Sequence, residues 1–424
     1  MKEWKEITHY AGLDWASDHH DIAVVDQQGK IVLQQRFSQT AEGWKALAEQ
    51  LKPFGTVAVA VETNHGIAVE QMLAQGLIVY PINPKSAERY RGRKSPSGVK
   101  NDQLDAWSLA DALRLDGHGW KPLAKEDPFI AELRLLTRDE VALIEQRTGL
   151  INQLIAALRD YYPAALEAFD DWTLPGAWAF VERFPTPQAL VKAGKRSWEK
   201  FLHAHKLYRP ETAPMRLEIF ARADQFTGAE GVTAARSLLA STLTVMLRTL
   251  NQQLALYRER IEALFAKHPD HDLFGSLPGV GPKLGPRLLA ELGNDRDRFD
   301  SAQSLQCFAG TAPVTIQSGQ IINRKMRRAC HLGLRTAVHL WANTSRRTCP
   351  WAQAYYAAHR EKGKSHACAL RCLGQRWLKI LWKMWQTRTQ YDADLHARNQ
   401  QKHGSWVLKL KPLQFEIGTG ELNA

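Results

Sequence analysis

Long apolar runs are missing from this chain of 424 residues. Mean hydropathy is −0.37, and no stretch approaches the ~20 apolar residues that a membrane-spanning helix needs. Cysteine is scarce and odd in number, at five, which argues against a disulfide scaffold and for a reduced, cytoplasmic protein. The opening MKEWKEITHYAGLDW holds no apolar segment of the signal-peptide kind, so secretion is not expected. No internal repeat is visible, which excludes a solenoid. What is present is globular in character: 44% hydrophobic and 24% charged residues. The length implies two or three domains.

Acidic residues are scarce only in one place. The formal net charge is +12, from 56 Lys and Arg against 44 Asp and Glu. Residues 1–120 hold 13 basic and 15 acidic side chains, a net of −2, whereas residues 271–390 hold 19 and 6, a net of +13. The basic excess therefore sits in one late segment, interleaved with Trp and Tyr, and suggests a polyanionic partner. A solvated basic face is the plainer alternative.

The first 120 residues read as an α/β domain. HYAGLDW, DIAVVD and IVLQQRF are three successive strands with a Gly-containing hairpin turn, AEGWKALAEQL a helix, and TVAVAVE a buried strand ending at Glu62. GIAVEQMLAQ reads as a helix and GLIVYPI as another buried strand. RYRGRKSPSGVK reads as a basic loop, and NDQLDAWSLADALRL as an amphipathic helix capped by Asn101. This βββαβαβα order is that of the RNase H-like fold. Residues 128–162 and about 212–268 carry apolar residues at three- and four-residue spacing, predicting an antiparallel helical arm or coiled coil. From 271 onward the pattern becomes short helices, Gly-Pro turns and basic residues. The expected division is 1–125, an acidic α/β domain; 126–270, a helical arm with an insert; 271–390, a mostly helical domain; and 391–424, a polar tail.

Asp14 ends the first strand and Glu62 the fourth, while Asp102 and Asp105 share one helical face at i, i+3. In an RNase H-like layout these four carboxylates converge, and they repel unless divalent cations neutralise them. Hard oxygen ligands suit Mg²⁺ or Mn²⁺, and paired ions activate an attacking oxygen and stabilise a leaving one on a phosphodiester. Each carboxylate alone is also an ordinary cap or surface charge. His19, His20 and His65 lie nearby, where a surface or supporting role is expected.

LFGSLPGVGPKLGPRLLAELG, residues 273–293, reads as a helix-hairpin-helix. Its turn, with Gly279, Gly281 and Lys283, can present backbone N–H groups to phosphate at a helix start. An ordinary helix–helix turn is the alternative. Downstream, Ser318 stands between Gln317 and Gly319 and is followed by Arg324, Lys325, Arg327, Arg328 and Arg335. A Ser-Gly in a turn is unremarkable by itself, although a serine can attack phosphate when cations stabilise the developing charge. Arg91 and Arg93, with Arg89 and Lys94, precede the Asp pair and suit a nucleic-acid backbone. Cys368 and Cys372 with His366 lack a second ligand pair, so two reduced thiols are favoured over zinc. Trp377, Trp382 and Trp385 follow helical spacing and fit a core better than a base-stacking platform.

Taken together, the acidic quartet, LPGVG, FAGTAPVTIQSG and the basic helix read after it resemble the DEDD transposases of the insertion-sequence one-ten family, relatives of the Piv invertases. The resemblance covers nearly the whole chain. It implies a RuvC-like domain with Asp14, Glu62, Asp102 and Asp105 as Mg²⁺ (or Mn²⁺) ligands. It implies Ser318 as a nucleophile forming a transient 5′-phosphoserine link during recombination through a Holliday-junction-like intermediate. It further implies target and donor DNA and a non-coding bridge RNA as partners, a homo-oligomer from dimer to tetramer with a composite active site, and a place at the bacterial nucleoid. A RuvC-like structure-selective endonuclease, which would ignore Ser318, and a non-catalytic nucleic-acid-binding protein are the competing readings.

Overall fold

The computed structural model describes residues 4–94, 101–123 and 127–406. The chain divides into two compact units, Met1–Glu126 and Asp127–Ala424.

The first unit is built on one five-stranded sheet. Strands β1 (His9–Trp15), β2 (His19–Val25) and β3 (Ile31–Ser38) form an antiparallel meander, and β4 (Val57–Val61) and β5 (Ile78–Pro81) add in parallel beyond β1, giving the order β3-β2-β1-β4-β5. Helices α1 (Ala41–Leu51) and α2 (Ile67–Ala74) connect the strands; α3 (Pro84–Lys94) and α4 (Asp102–Asp116) follow them. Strand side chains alternate between faces. Ala11, Leu13, Val57, Val59 and Val61 pack with Trp44, Leu47 and Met72 of α1 and α2. Tyr10, Ala58 and Ala60 pack with Leu109, Ala110 and Leu113 of α4. By the same alternation Asp14 of β1, and Glu62 just past β4, continue the α4 side.

Small residues let α4 lie close on the sheet. A Cβ on Gly12 would stand 2.0 Å from the Ala106 carbonyl oxygen, so only glycine fits beneath the helix. Asn101 caps α4, its side chain accepting from Leu104 N at 2.7 Å, which fixes the first turn that carries Asp102 and Asp105.

The second unit is helical apart from one hairpin. Its spine is the antiparallel pair α5 (Pro128–Tyr161) and, later in the chain, a helix at Glu230–Phe265. Arg147 donates to Asn251 at 3.2 Å, Arg236 pairs with Asp160 at 2.9 Å, and buried Glu140 takes both Arg258 and Arg287. Four shorter helices intervene: α6 (Pro163–Ala168), α7 (Pro175–Arg183), α8 (Pro187–Ala204) and α9 (Ala213–Ala221), each with Pro in its first turn where the missing N–H costs nothing. The long helix expected over 212–268 is thus two, α9 and α10 (Glu230–Phe265). The break falls at DQFTG, where a Cβ on Gly228 would meet the Asp160 carbonyl oxygen at 2.6 Å. Trp172, Trp178 and Trp198 are buried in a core shared by α5 to α10.

A separate core unites the opposite ends of α5 and α10 with α11 (His271–Gly275), α12 (Gly281–Leu292), α13 (Ala302–Phe308), α14 (Leu332–Thr348), α15 (Pro350–Glu361) and α16 (His366–Thr387). Trp377 and Trp385 are fully buried there, and Trp382 donates to the Phe299 carbonyl at 3.1 Å, as a core reading of that stripe requires. Strands β6 (Val314–Ser318) and β7 (Ile321–Lys325) form an isolated hairpin, and α17 (Ala393–Lys402) is exposed. Tyr391 and Trp406, in the segment expected to be a polar tail, nonetheless pack on this core.

Candidate metal centre and serine hairpin

The α4 side of the sheet collects charge. Asp14 stands directly opposite Asp21 across β1 and β2, and Asp21 directly opposite Arg36 across β2 and β3. The alternation that carries Asp14 therefore carries Asp21 and Arg36 to the same side, beside the first turn of α4.

Asp14 registers the convergence. Burial and the negative charges of Asp105, Asp102, Glu62 and Asp21, in that order, push its carboxyl from 3.8 up to about 6. A carboxyl surrounded by like charges binds protons, or cations, more readily than a free one. The other three carboxylates singled out in the sequence are thus within electrostatic range of Asp14.

Two arginines already serve this group. Arg91 Nη1 lies 3.0 Å from Asp105 Oδ1. The basic stretch read as a loop is helical as far as Lys94, because PKSAERYRGRK continues from a Pro at its first position without a breaker; Arg91 and Arg93 therefore stand on α3. Residues 95–100 lie outside the described residues. Arg36 Nη2 is 2.8 Å from Asp21 Oδ2 and 2.7 Å from Asp102 Oδ2.

The tightest group of ligand-type side chains differs from the quartet. Among the described residues, the His, Cys, Asp and Glu side chains whose ligand atoms all lie within 4.8 Å of one another are His19, Asp21 and Asp102. Only Asp102 belongs to the predicted quartet. Asp21 is 2% exposed, and sequence reading passed over it because one Asp in DIAVVD looks like an ordinary strand edge. The signal was its register, fixed once β1 and β2 are a hairpin. His19, expected at the surface or in support, joins the cluster.

Ser318 lies in the second unit, at the end of β6. It pairs with Ile321, leaving Gly319 and Gln320 as a two-residue loop with Gly319 at φ +58°. Gln320 is outside the left-handed region, so the turn is of the II′ kind, with Gly at its first central position. Ser318, Arg324 and Lys325 are exposed. Arg324 and Lys325 stand on β7, not on the basic helix read from the sequence, because VTIQSGQIINRK alternates β-branched and polar residues around a turn. Arg327 and Arg328 lie between β7 and α14. Arg335, on α14, turns inward and donates to the carbonyls of Arg327 and Arg328.

The LPGVG turn is anchored from behind. Trp341 Nε1 donates to the Pro278 carbonyl at 3.0 Å, and a Cβ on Gly279 would stand 2.6 Å from Ser345 N. Gly279 has φ +73° and Gly281 φ +57°; Gly281 faces open space at the start of α12, with Lys283 exposed one residue beyond Pro282. Cys368 and Cys372 are free thiols, and Lys364 Nζ lies 3.3 Å from the Cys372 sulfur.

Acids gathered on a mixed sheet beneath a crossing helix, in a chain with a helical basic second unit, belong to the DEDD class of transposases: residues 11–163 match the sequence profile of that class, described as Transposase. Residues 271–357 match a second profile, described as Transposase IS116/IS110/IS902 family. The chain belongs to the IS110 family of insertion-sequence transposases. It is 34% identical over 404 residues to a protein of the IS117 mini-circle of Streptomyces coelicolor named as a candidate transposase, covering 92% of this chain and 97% of the relative. It is 30% identical over 395 residues to the 42 kDa protein of insertion element IS900 of Mycobacterium paratuberculosis, covering 90% and 96%. The 43.6 kDa protein of IS110 from Streptomyces coelicolor is 28% identical over 407 residues, covering 94% and 98%. Membership implies an enzyme that cuts and rejoins DNA, and among the described residues no helix is long and apolar enough to cross a membrane.

Proposed function

We propose that the protein is a DNA recombinase whose RNase H-like first unit holds divalent cations on Asp14, Glu62, Asp102 and Asp105 and whose Ser318 is the nucleophile. The observation that carries the reading is the Asp14 carboxyl, pushed up to about 6 by its burial and, beside that, by the charges of Asp105, Asp102, Glu62 and Asp21. Four acids held together on rigid elements fit hard cations, and Mg²⁺ or Mn²⁺ bound there supplies charge neutralisation for the phosphoryl group. The chain's own residues do the rest. Ser318 Oγ attacks phosphorus; its bond to phosphorus forms as the bond to the 3′ oxygen breaks, and the serine proton ends on that leaving oxygen. The product is a 5′-phosphoserine link, which a 3′ hydroxyl reverses with new connectivity. Arg324 and Lys325 flank the serine across the hairpin and suit the phosphate backbone. Gly279, Gly281 and Lys283 offer a second phosphate contact, of helix-hairpin-helix type.

The family resemblance also supports a bridge RNA as guide, so that base pairing chooses target and donor, and a homo-oligomer as the active form. The deciding experiment traps a covalent protein–DNA adduct. Wild type forms it with Mg²⁺; Ser318→Ala forms none yet binds nucleic acid with unchanged affinity. An adduct that survives Ser318→Ala, or loss of affinity alone, overturns the assignment.

A further inference from the structure

The acidic quartet does not exhaust the chemistry on the α4 side of the sheet. His19, Asp21 and Asp102 bring an imidazole nitrogen and two carboxylate oxygens within 4.8 Å of one another. We propose that these three residues form a second divalent-cation site, of mixed nitrogen and oxygen donors, that shares Asp102 with the quartet and prefers Mn²⁺ or a similar borderline ion to Mg²⁺. The proposal rests on the quartet reading only through Asp102.

Three observations carry it. The first is Asp21 itself. Its side chain is 3% exposed, and its Oδ1 is buried with no hydrogen-bond partner. A buried carboxylate oxygen left unsatisfied is costly, and native proteins keep such an atom where something else completes it. The second is the setting of His19. Its Nδ1 is 2.9 Å from Asp18 Oδ1, so a carboxylate orients the ring, as one does for most metal-binding histidines. Imidazole favours Mn²⁺ and later first-row ions over Mg²⁺, which demands hard oxygens. The third is Arg36. Its Nη2 bridges Asp21 Oδ2 and Asp102 Oδ2 at 2.8 and 2.7 Å, and its side chain is half exposed. The two carboxylates thus already share one cation, whose Nε also donates to Asp21 Oδ2 at 3.0 Å, and a divalent ion would have to displace this half-exposed side chain.

This geometry predicts effects of opposite sign, which a merely structural cluster would not give. Mn²⁺ binding to the full-length protein, without nucleic acid, is measured by calorimetry and by the electron paramagnetic resonance signal of free Mn²⁺. His19→Ala and Asp21→Asn should each lose one bound Mn²⁺ per chain or weaken it at least tenfold. Arg36→Gln should tighten the same class severalfold, because an internal competitor is gone. Mg²⁺ should compete poorly for that class in the wild type and better relative to Mn²⁺ in His19→Ala. Wild-type stoichiometry and affinity in His19→Ala and Asp21→Asn, or weakened binding in Arg36→Gln, overturn the proposal. Loss confined to Glu62→Gln would overturn it while leaving the quartet reading intact. Loss in His19→Ala and Asp21→Asn with no effect of Glu62→Gln or Asp14→Asn would uphold it and sink the quartet instead.

Discussion

Gly12 lies so close beneath α4 that a methyl group on its Cα would reach 2.0 Å from the Ala106 carbonyl oxygen and 2.5 Å from Ala110 N. The neighbour is helix backbone, which cannot swing aside. Gly12→Ala must therefore lift α4 and carry Asp102 and Asp105 with it. The expected cost is about 1–3 kcal/mol of stability, typical of overpacking, together with weakened divalent-cation binding. Thermal unfolding and Mn²⁺ titration of the variant check both, and an unchanged melting temperature would contradict the close approach.

Asp14 makes the first unit sensitive to pH in an unusual direction. Its folded carboxyl sits at about 6 against 3.8 for a free one. Between those values the folded chain holds more protons than the unfolded chain, so stability falls as pH rises through that window and stays lower above it. Asp14 is partly exposed, so after discounting for solvent screening the size is on the order of 1–2 kcal/mol. Asp14→Asn should raise the metal-free melting temperature at pH 7.5 and leave it nearly unchanged at pH 4. Mg²⁺ should stabilise the wild type more at pH 7.5 than at pH 5.

Arg138 donates to both carboxylate oxygens of buried Glu291 at 2.9 Å, joining α5 to α12. Arg138 is half exposed, so its loss leaves only the buried Glu291 carboxylate short of a counter-charge, with His331 still 3.5 Å away. Arg138→Ala should destabilise the second unit by about 1–2 kcal/mol, discounted for the exposure of the arginine, and no change in denaturant unfolding would refute it.

His331 caps α14 through a bond from Leu334 N to its Nδ1, at 3.3 Å, and stacks on Phe308. Burial, against the pull of Glu291, lowers its pKa from 6.5 to about 4. The unfolded chain takes up a proton first as pH falls, so the second unit loses stability between about pH 6.5 and 4. His331→Asn keeps a capping acceptor and should flatten that slope. Buried His359, also lowered to about 4, adds a loss of the same sign that should persist in the variant.

Gly319, at φ +58°, faces open space, so Gly319→Ala tests backbone conformation rather than contact. Placing an L side chain in this region costs about 1–2 kcal/mol. The substitution should slow Ser318-dependent adduct formation while leaving the melting temperature of the surrounding core within about 1 °C, since the hairpin's strands are almost wholly exposed.

The strands and helices of the first unit were legible because its apolar pattern switches cleanly between periods of two and 3.6. VAVAV reads as a strand buried on both faces, and Asn101 marks the start of its helix. Helix α3 was misread because Gly92 and a run of basic residues resemble a loop when stripped of context. The hairpin bearing Ser318 went unnoticed although IQSGQII has the alternation of a ribbon; basic residues after it suggested a helix. Asp21, Arg36 and His19 depend on cross-strand register, a tertiary fact that no single segment carries. The break between α9 and α10 follows from Gly228 meeting the Asp160 carbonyl oxygen, a contact with a distant part of the chain.

The facing pair Asp21 and Arg36 also bears on the order of assembly. The two residues are fifteen positions apart on adjacent strands of the meander, whereas Asp102 and Asp105 arrive only with α4. Loop closure over so short a span is cheap and fast. A chain emerging from its N-terminus can therefore set a carboxylate beside its own counter-charge in the meander before any of the later acids exist. Asp21 meets its counter-charge within the first three strands, and Glu62, Asp102 and Asp105 are added only afterwards.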